Sequence, residues 1–546
     1  MHILLLTDRR GETVLKKNSK SLILYIPFFF SILLLVFLNI FYHDNWLDSD
    51  MAAEMIFSRL LSRTGHFFAT PDWYYSTEFR FFYTHWMMGP LFCFLKSWHA
   101  VRMITNLLTY TLMVVSYFFF MKPFQVCREL VFATASLLLL PFSETMMTHM
   151  VMGNTYLFHV IISFLFMGCF FRLTGGSCKR KWLVLTGYLI LALICGVSGV
   201  RYLLALQCPL VLAYFLGILK TQQFQTLREE VASDNWKEKL FAVVKSRAAA
   251  DLGYGLAGLA GALAGYLINL FYVSRQYVFQ TYEATNFIAV YQGIFLERVQ
   301  NAFGSLIMLF GYIPDKGFLS VRGLISMISF LLILLFGLAA VCSARRETGQ
   351  RGMLAMFFWT ALALNVFVFV FTTSTMVPRY YLTLYIFLLP LLCFYLEGEK
   401  RWFDRVVVGT LLGICILLAS GKEVLSYISA DKNAPRREVA EFLKESPWHF
   451  GYATYWNANI LTELTDGAVE VANIVDARHL EFFKWSSPMY YYREEHTDEV
   501  FLLLTAQEYR EAGDAASIAG GKKVYEDENY IVLIYDSEQA LLRLAE

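Results

Sequence analysis

Charged side chains are scarce in this chain. Lysine, arginine, aspartate and glutamate together make up only 17% of its 546 residues, and their charges nearly cancel to a formal net charge of +1. A nucleic-acid-binding domain gathers basic residues on one face, whereas the Lys/Arg clusters here are short and lie between apolar stretches. The sequence therefore gives no indication of a nucleic-acid partner.

Cysteine is missing from the C-terminal part of the chain. All nine cysteines lie before residue 416, within or near apolar segments. The polar region after Lys422 therefore has no disulfide framework. The sequence also lacks a repeat of fixed period and any low-complexity tract, so no repeat architecture is predicted.

Hydrophobic residues are what the chain has in excess. They make up 57% of it, with 49 phenylalanines and 32 tyrosines, and the mean hydropathy is +0.48. Apolar stretches of membrane-spanning length recur, which predicts a polytopic α-helical membrane protein. Lysine and arginine in short loops mark the cytoplasmic side. Placing every basic loop there predicts a cytoplasmic N-terminus and about eleven spans, near 21–42, 98–121, 129–142, 155–172, 182–199, 203–219, 251–272, 323–343, 353–373, 381–396 and 406–420.

Three further stretches bear on the membrane part. The apolar pieces at 81–95 and 301–313 are too short to span, and we expect interfacial or re-entrant helices there on the outer face. The first piece falls within a long first outer loop, 43–97. The run "GYGLAGLAGALAGY" at 253–266 predicts a face of small residues for close helix packing.

The composition changes near residue 420, where polar residues become frequent. Residues 1–420 are predicted to form the transmembrane domain, and 421–546 an extracytoplasmic α/β domain of ~120 residues, a usual domain size. The periodicity predicts an amphipathic helix and three short strands, at 434–446, 469–475, 499–505 and 529–537. The absence of cysteine from this outer domain favours a bacterial plasma membrane.

Acidic residues follow directly after the first apolar run. Asp48 and Asp50 precede the helix pattern "MAAEMIFSRLLSR", and Glu54 lies one turn after Asp50. An aspartate just before a helix is most often an N-cap, so one of the two is expected to cap this helix. Glu54 can equally lie on the solvent-exposed face of an interfacial helix.

The order of motifs in this region resembles the start of the GT-C glycosyltransferases, which include the protein O-mannosyltransferases and the lipid A aminoarabinose transferases. In that class a span is followed by a long external loop with an early acid, interfacial helices with a Pro-Leu pair, and an arginine near the second span. Asp48 and Asp50, Pro90-Leu91 and Arg102 occupy those places here. This chain departs from the pattern in reading Asp-Ser-Asp rather than Asp-Glu, and Gly89-Pro90 rather than Pro-Pro.

The resemblance implies an inverting enzyme that moves a sugar from a polyprenyl-phosphate donor to an extracytoplasmic acceptor. The acceptor would be an envelope glycan, a lipid or a protein. Asp50, with Asp48 beside it, is the candidate general base, and the neighbouring like charge would raise the pKa of one of them. Arginine binds phosphate bidentately, so outer arginines are candidates for the donor phosphate, each alternatively a membrane anchor: Arg201, Arg379, Arg102, and less directly Arg275 and Arg298.

Several other outer residues are secondary candidates. They are Glu54, Asp72, Glu78, His85, His149 and Tyr380. No histidine or cysteine spacing of metal-ligand type is present, so no cofactor follows from the sequence; a Mg²⁺, Mn²⁺ or Zn²⁺ ion on an outer carboxylate and His149 stays an alternative. In the aromatic stretch 450–467, most residues are expected to be strand core, and Trp456 and Asn457 to contact an acceptor.

Three other protein classes compete with this interpretation. A transporter or flippase should place acids or Gly/Pro breaks at mid-span, often in matching halves. A polysaccharide ligase or polymerase has its large outer loop late in the chain. A non-catalytic scaffold would leave the order of acid, interfacial helix and arginine as coincidence.

Overall fold

The computed structural model describes residues 22–153, 155–175, 180–220, 247–280, 285–314, 316–317, 319–398 and 402–545. The basic N-terminus, the basic loop at 176–179 and most of the basic stretch 220–250, which were predicted to be cytoplasmic, lie outside this part.

Long apolar helices form most of the chain up to about residue 420. In chain order they and the shorter helices between them are α1 (Ile26–Phe41), α2 (Ser49–Thr64), α3 (His85–Leu91), α4 (Trp98–Met121), α5 (Arg128–Leu139), α6 (Glu144–Met152), α7 (Leu157–Thr174), α8 (Lys181–Val197), α9 (Leu203–Gly217), α10 (Arg247–Ile268), α11 (Gly293–Leu309), α12 (Val321–Arg346), α13 (Gly349–Val370), α14 (Leu382–Gly398) and α15 (Trp402–Ser429). Almost all of α7 and α14 is buried, whereas less than half of the residues in each of the other long apolar helices is buried. These two helices therefore form the centre of the bundle.

The fold is that of a polytopic helical membrane protein, but the predicted count of eleven spans is wrong. Eight helices in the described residues are long and apolar enough to cross a membrane, and α5 with α6 would make a ninth. The two helices of that pair meet at an angle of 90° across a short break, and the span predicted at 129–142 ends within this break. The helices α8 and α9 have only 17 and 15 residues, fewer than a straight span needs.

The run of small residues on α10 packs closely against α8, as its sequence predicted. A Cβ atom added at Gly265 would lie 2.2 Å from the backbone oxygen of Leu193, and one at Gly261 would lie 3.1 Å from the Cβ of Ala192. Small side chains therefore let these two backbones approach each other.

The C-terminal region is an α/β unit built on a five-stranded sheet. Its strands are β3 (Phe450–Thr454), β4 (Glu470–Ile474), β6 (Val500–Thr505), β7 (Lys522–Glu526) and β8 (Tyr530–Tyr535), and its helices are α16 (Ala434–Glu445), α17 (Tyr455–Leu464), α18 (Ala506–Ala512), α19 (Ala516–Gly520) and α20 (Glu538–Leu542). The strand order is β4-β3-β6-β8-β7, with β4, β3 and β6 parallel and the rest antiparallel. The amphipathic helix and the three strands expected here are confirmed.

Both faces of this sheet are covered, because apolar residues alternate between them along each strand. Leu502 and Leu504 of β6 face one apolar cluster, and Phe501 and Leu503 face another. Near-continuous apolar runs are typical of strands buried on both faces.

A second, small sheet joins three distant parts of the chain. β1 (Trp73–Tyr75) of the loop 43–97 pairs in parallel with β2 (Val278–Phe279) and antiparallel with β5 (Ser487–Pro488) of the C-terminal unit. Nearby, α17 packs along α2. The C-terminal unit thus packs on the loop 43–97, and this contact brings the candidate site together.

Candidate functional site

A cavity of about 150 Å³ lies between the loop 43–97, the ends of several apolar helices and the C-terminal unit. Its ionisable lining residues include three carboxylates, three guanidinium groups and three imidazoles: Asp50, Glu54, Glu78, Arg80, Arg201, Arg379, His85, His149 and His159. Aromatic rings and two C-terminal residues complete the wall, among them Trp73, Tyr75, Tyr156, Tyr380, Trp485 and Ser486. Most of the candidates taken from the sequence are therefore neighbours.

The two aspartates before α2 have different surroundings. The carboxylate of Asp48 accepts a hydrogen bond of 2.9 Å from the backbone N–H of Met51, so Asp48 is the predicted helix cap. It lines a separate depression, whereas Asp50 lines the cavity. Burial, and then the nearby charge of Asp50, raise the pKa of Asp48 to about 6. Asp48 is therefore a structural residue beside the cavity.

Asp50 is held by a tyrosine from the C-terminal unit. The hydroxyl of Tyr455, the first residue of α17, donates a hydrogen bond of 2.6 Å to Asp50 Oδ1. Burial, together with the charge of Asp50, raises the pKa of Tyr455, so this hydroxyl keeps its proton at neutral pH. Ser49, adjacent to Asp50, also donates a hydrogen bond to the Tyr455 carbonyl. These contacts fix the start of α2 against the C-terminal unit.

The other two carboxylates of the cavity are each paired with an arginine. Glu54 forms an ion pair with Arg80, and Glu78 Oε1 lies 2.9 Å from Arg201 Nη2. Arg201 Nη1 also donates a hydrogen bond of 3.1 Å to the hydroxyl of Tyr156. Burial raises the pKa of Glu54, although Arg80 opposes the shift. Both pairs therefore offset their own charges within the wall.

Arg379 lies in the 3₁₀ turn Pro378–Tyr381 that leads into α14. Its guanidinium lies 5.9 Å from the ring centroid of Tyr380, and in the described part of the chain it has no ion pair with a carboxylate. Asp50 likewise has no cationic partner among the described residues. The cavity thus has one carboxylate and one guanidinium whose charges are not offset by a direct partner.

His85 is buried in the wall with both ring nitrogens lacking a hydrogen-bond partner of good geometry in the described protein. Burial lowers its pKa to about 3, so the imidazole is neutral at physiological pH. Buried polar atoms are normally hydrogen-bonded, so the two ring nitrogens of His85 are free to bond a polar group or a water molecule in the cavity. His149, also in the wall, is already bonded at Nδ1 to Thr155 Oγ1 over 2.8 Å.

Arg102, a candidate for the donor phosphate, is not among the residues that line this cavity. Arg102 is only 2% exposed, and its Nε and Nη2 atoms each lie 2.6 Å from a carboxylate oxygen of Glu463 in α17. Its Nη2 also donates to the carbonyl of Met51 over 3.0 Å. The side chain is therefore directed into the contact between α4, α2 and α17, and away from the cavity.

Other candidates also lie outside the cavity. Asp72 is exposed, and its carboxylate contacts Thr70. Arg275 is exposed elsewhere, and Arg298 is 8% exposed and donates to Thr375. Asn457, expected to contact an acceptor, is 3% exposed and accepts hydrogen bonds from Arg436 and Tyr530, whereas Trp456 is 60% exposed.

The sequence reasoning missed Arg80, which lines the cavity, and Tyr455, which is bonded to the lining residue Asp50. Arg80 stands two residues after Glu78 in a strand-like stretch, and this alternation could have indicated a shared face. Tyr455 carries no such indication, because its contact with Asp50 spans 405 residues of sequence.

In the described part of the chain, the carboxylates and imidazoles that line this cavity do not form a group of three tight enough to hold a metal ion. Among the described residues, the one tight group of three histidine, cysteine or carboxylate side chains lies outside this cavity. No protein-family profile matches the chain, and a search of curated proteins finds none that is significantly similar. The likeness to the GT-C enzymes therefore rests on the order of the motifs.

Proposed function

We propose that the protein is an integral-membrane glycosyltransferase of GT-C type. It would transfer a sugar from a polyprenyl-phosphate donor to an extracytoplasmic glycan, lipid or protein, with inversion. The observation that carries the proposal is that one cavity holds an unpaired carboxylate, Asp50, and an unpaired guanidinium, Arg379. Glycosyl transfer needs both, a base for the acceptor hydroxyl and a cation for the departing phosphate.

In the proposed reaction the acceptor oxygen attacks the anomeric carbon as its proton passes to Asp50. The bond between that carbon and the phosphate oxygen breaks, and the electron pair leaves with the polyprenyl phosphate. Arg379, with Arg201 beside Tyr156, stabilises the negative charge that develops on the phosphate. Tyr455 keeps the Asp50 carboxylate oriented without protonating it. The neutral imidazole of His85 suits a hydroxyl group of the sugar better than a phosphate.

A second cavity supports a lipid donor. It has a volume of about 170 Å³ and lies among α11, α12, α13 and α14. Its lining is almost entirely apolar, and Tyr381, two residues after Arg379, is part of it: Leu306, Leu309, Phe310, Ile333, Phe336, Gly337, Ala340, Phe358, Trp359, Leu362, Tyr381, Leu384, Tyr385 and Leu388. An isoprenoid chain placed there would bring its phosphate towards Arg379.

The proposed orientation puts the N-terminus in the cytoplasm and the C-terminal unit outside the plasma membrane. It follows from the lysine and arginine bias of the loops. The charged residues of the cavity come from loops, helix ends and the outer helix α2, which differs from the mid-span acids typical of transporters.

The test uses the full chain in nanodiscs with a panel of polyprenyl-phosphate sugars and glycan, lipid and peptide acceptors. Released polyprenyl phosphate is measured for the wild type, Asp50→Asn and Arg379→Gln. We expect Asp50→Asn to lower turnover by ~10²–10⁴-fold through loss of the base. Arg379→Gln should lower it by ~10²–10³-fold, as for other removed charge-stabilising groups.

Two substitutions outside the cavity serve as controls. Asp72→Asn removes an acid from the same outer loop, and Arg275→Gln removes an outer arginine. Both variants should keep wild-type turnover. A wild-type protein that binds a donor but releases no polyprenyl phosphate with any acceptor would contradict the proposal and favour a carrier, as would unchanged turnover in Asp50→Asn.

A further inference from the structure

A compact group of side chains that can bind a metal ion lies between the end of α1 and the start of α4. His43 and Asp44 belong to the 3₁₀ turn His43–Trp46 that follows α1, and His99 is in the first turn of α4. His43 Nε2 contacts Asp44 Oδ1 and lies 3.1 Å from His99 Nδ1. The three potential ligand atoms all lie within 4.8 Å of one another. None of these residues lines the proposed catalytic cavity.

The distance between the two ring nitrogens is suited to a metal ion. A tetrahedral ion with bonds of ~2.0–2.1 Å holds its ligand atoms ~3.3 Å apart, close to the distance between the two ring nitrogens. Two imidazoles and one carboxylate are a donor set that zinc takes in open sites, where the fourth position is left to solvent. The two rings meet edge to face, with centroids 4.0 Å apart and an interplanar angle of 83°.

Exposure and charge also favour a cation here. His43 is 6% exposed, Asp44 is partly exposed and His99 is exposed, so the group is fixed on one side and open to solvent on the other. The carboxylate of Asp44, in contact with the His43 ring, gives the group an anionic oxygen ligand.

The nearest arginines do not leave a free positive charge beside this group. Arg102 lies one turn after His99 and is neutralised by Glu463. Arg437, whose positive charge also acts on Asp44, forms an ion pair with Asp431.

We propose that His43, Asp44 and His99 form a binding site for a divalent transition-metal ion, and that zinc is the ion that this set of ligands suits best. A bound ion would join the end of α1 to the start of α4. These are the two helices that flank the first outer loop, so the ion would stabilise the base of that loop without taking part in the cavity. The site is independent of the proposed transfer reaction.

The test measures zinc binding by the full chain in detergent, purified with an affinity tag that contains no histidine. Zinc is titrated into metal-free protein and followed by direct metal analysis and by the apparent melting temperature. We expect one equivalent of bound zinc and a rise in melting temperature that a chelator reverses. His99→Ala should weaken zinc binding by at least ~10-fold, because it removes one of three ligands.

Since His99 is exposed, its replacement should leave the melting temperature of the metal-free protein unchanged. His43→Gln gives a second variant that keeps a polar side chain at the buried position. The matched control is His479→Ala, because His479 also contacts an aspartate, Asp476, over 3.0 Å but lacks a second imidazole beside it in the described structure. Equal zinc affinity in the wild type and His99→Ala, or no stoichiometric binding at micromolar zinc, would overturn the proposal and leave the group as a hydrogen-bonded cluster.

Discussion

The buried pair between Arg102 and Glu463 should be essential for seating the C-terminal unit on the membrane domain. Two charge-assisted hydrogen bonds of 2.6 Å join the side chains, which are 2% and 4% exposed. Replacing Glu463 by glutamine keeps the size of the side chain but leaves the guanidinium charge without its counter-charge. Removing one partner of a buried ion pair costs about 3–5 kcal/mol, because the remaining charge stays desolvated.

An exposed ion pair gives the matched control. Lys432 and Glu144 are 3.0 Å apart, but their side chains are 52% and 65% exposed. An exposed pair of this kind contributes about 0–1 kcal/mol. Glu144→Gln makes the same chemical change as Glu463→Gln, and the difference between the two variants isolates the effect of burial.

The assay is the apparent melting temperature of the full chain in detergent, combined with the rate at which a protease cleaves the C-terminal unit. We expect Glu463→Gln to lower the melting temperature by at least ~6 °C, given the usual relation between free energy and melting temperature for domains of this size. Cleavage should become faster. Glu144→Gln should change neither quantity measurably.

A double replacement separates loss of the charge pair from loss of packing. Arg102→Met with Glu463→Leu removes both charges, and apolar replacements of buried pairs are often neutral or stabilising. The double variant should therefore be more stable than Glu463→Gln alone. If Glu463→Gln and Glu144→Gln have the same melting temperature, or if the double variant has the lowest melting temperature of all, the reasoning is refuted.

Two further predictions concern pH and helix packing. The pKa of Asp48 is raised from 3.8 to about 6, so between these pH values the folded protein binds more protons than the unfolded chain, and the contribution of Asp48 to stability falls as the pH rises. The variant Asp48→Asn keeps a side chain that can cap the helix but cannot titrate. It should therefore show a smaller difference between the melting temperatures at pH 4.5 and 7.5 than the wild type does. An added Cβ at Gly265 would lie 2.2 Å from the Leu193 backbone oxygen, whereas one at Gly253 of the same helix meets nothing within 4 Å. Gly265→Ala should therefore destabilise the protein by about 1–3 kcal/mol in the same melting assay and Gly253→Ala should not; equal effects would contradict the close packing of α8 and α10.

The sequence predicts those features that depend on local pattern. The strands at 469–475, 499–505 and 529–537 are short apolar runs between polar turns, and all three are present. The helix after Asp48 has a capping side chain at its start, and the structure has this cap. The number of spans was overestimated because hydropathy alone does not show the bend between α5 and α6 or the shortness of α8 and α9.

The arrangement of the site follows from contacts between distant segments. Arg102 was a candidate for the donor phosphate because it lies at the start of an apolar helix, but it forms an ion pair with Glu463, 361 residues away. Arg201 and Arg379 had equivalent positions in the sequence, yet Arg201 is paired with Glu78 and Arg379 is not. Periodicity carries no information about such pairings.

The cavity is closed by residues made late in synthesis. Asp50 belongs to the loop 43–97, whereas the lining residues Trp485 and Ser486 come from the C-terminal unit. Trp485 follows Asp50 by 435 residues, and Tyr455, which holds Asp50, follows it by 405 residues. At ~5–20 residues per second a ribosome needs roughly 20–90 s to reach them. A nascent or prematurely terminated chain would insert its first helices and expose its acids, but it would lack the wall that orients them. Until the C-terminal unit has been made and folded, the proposed site would therefore lack part of its wall.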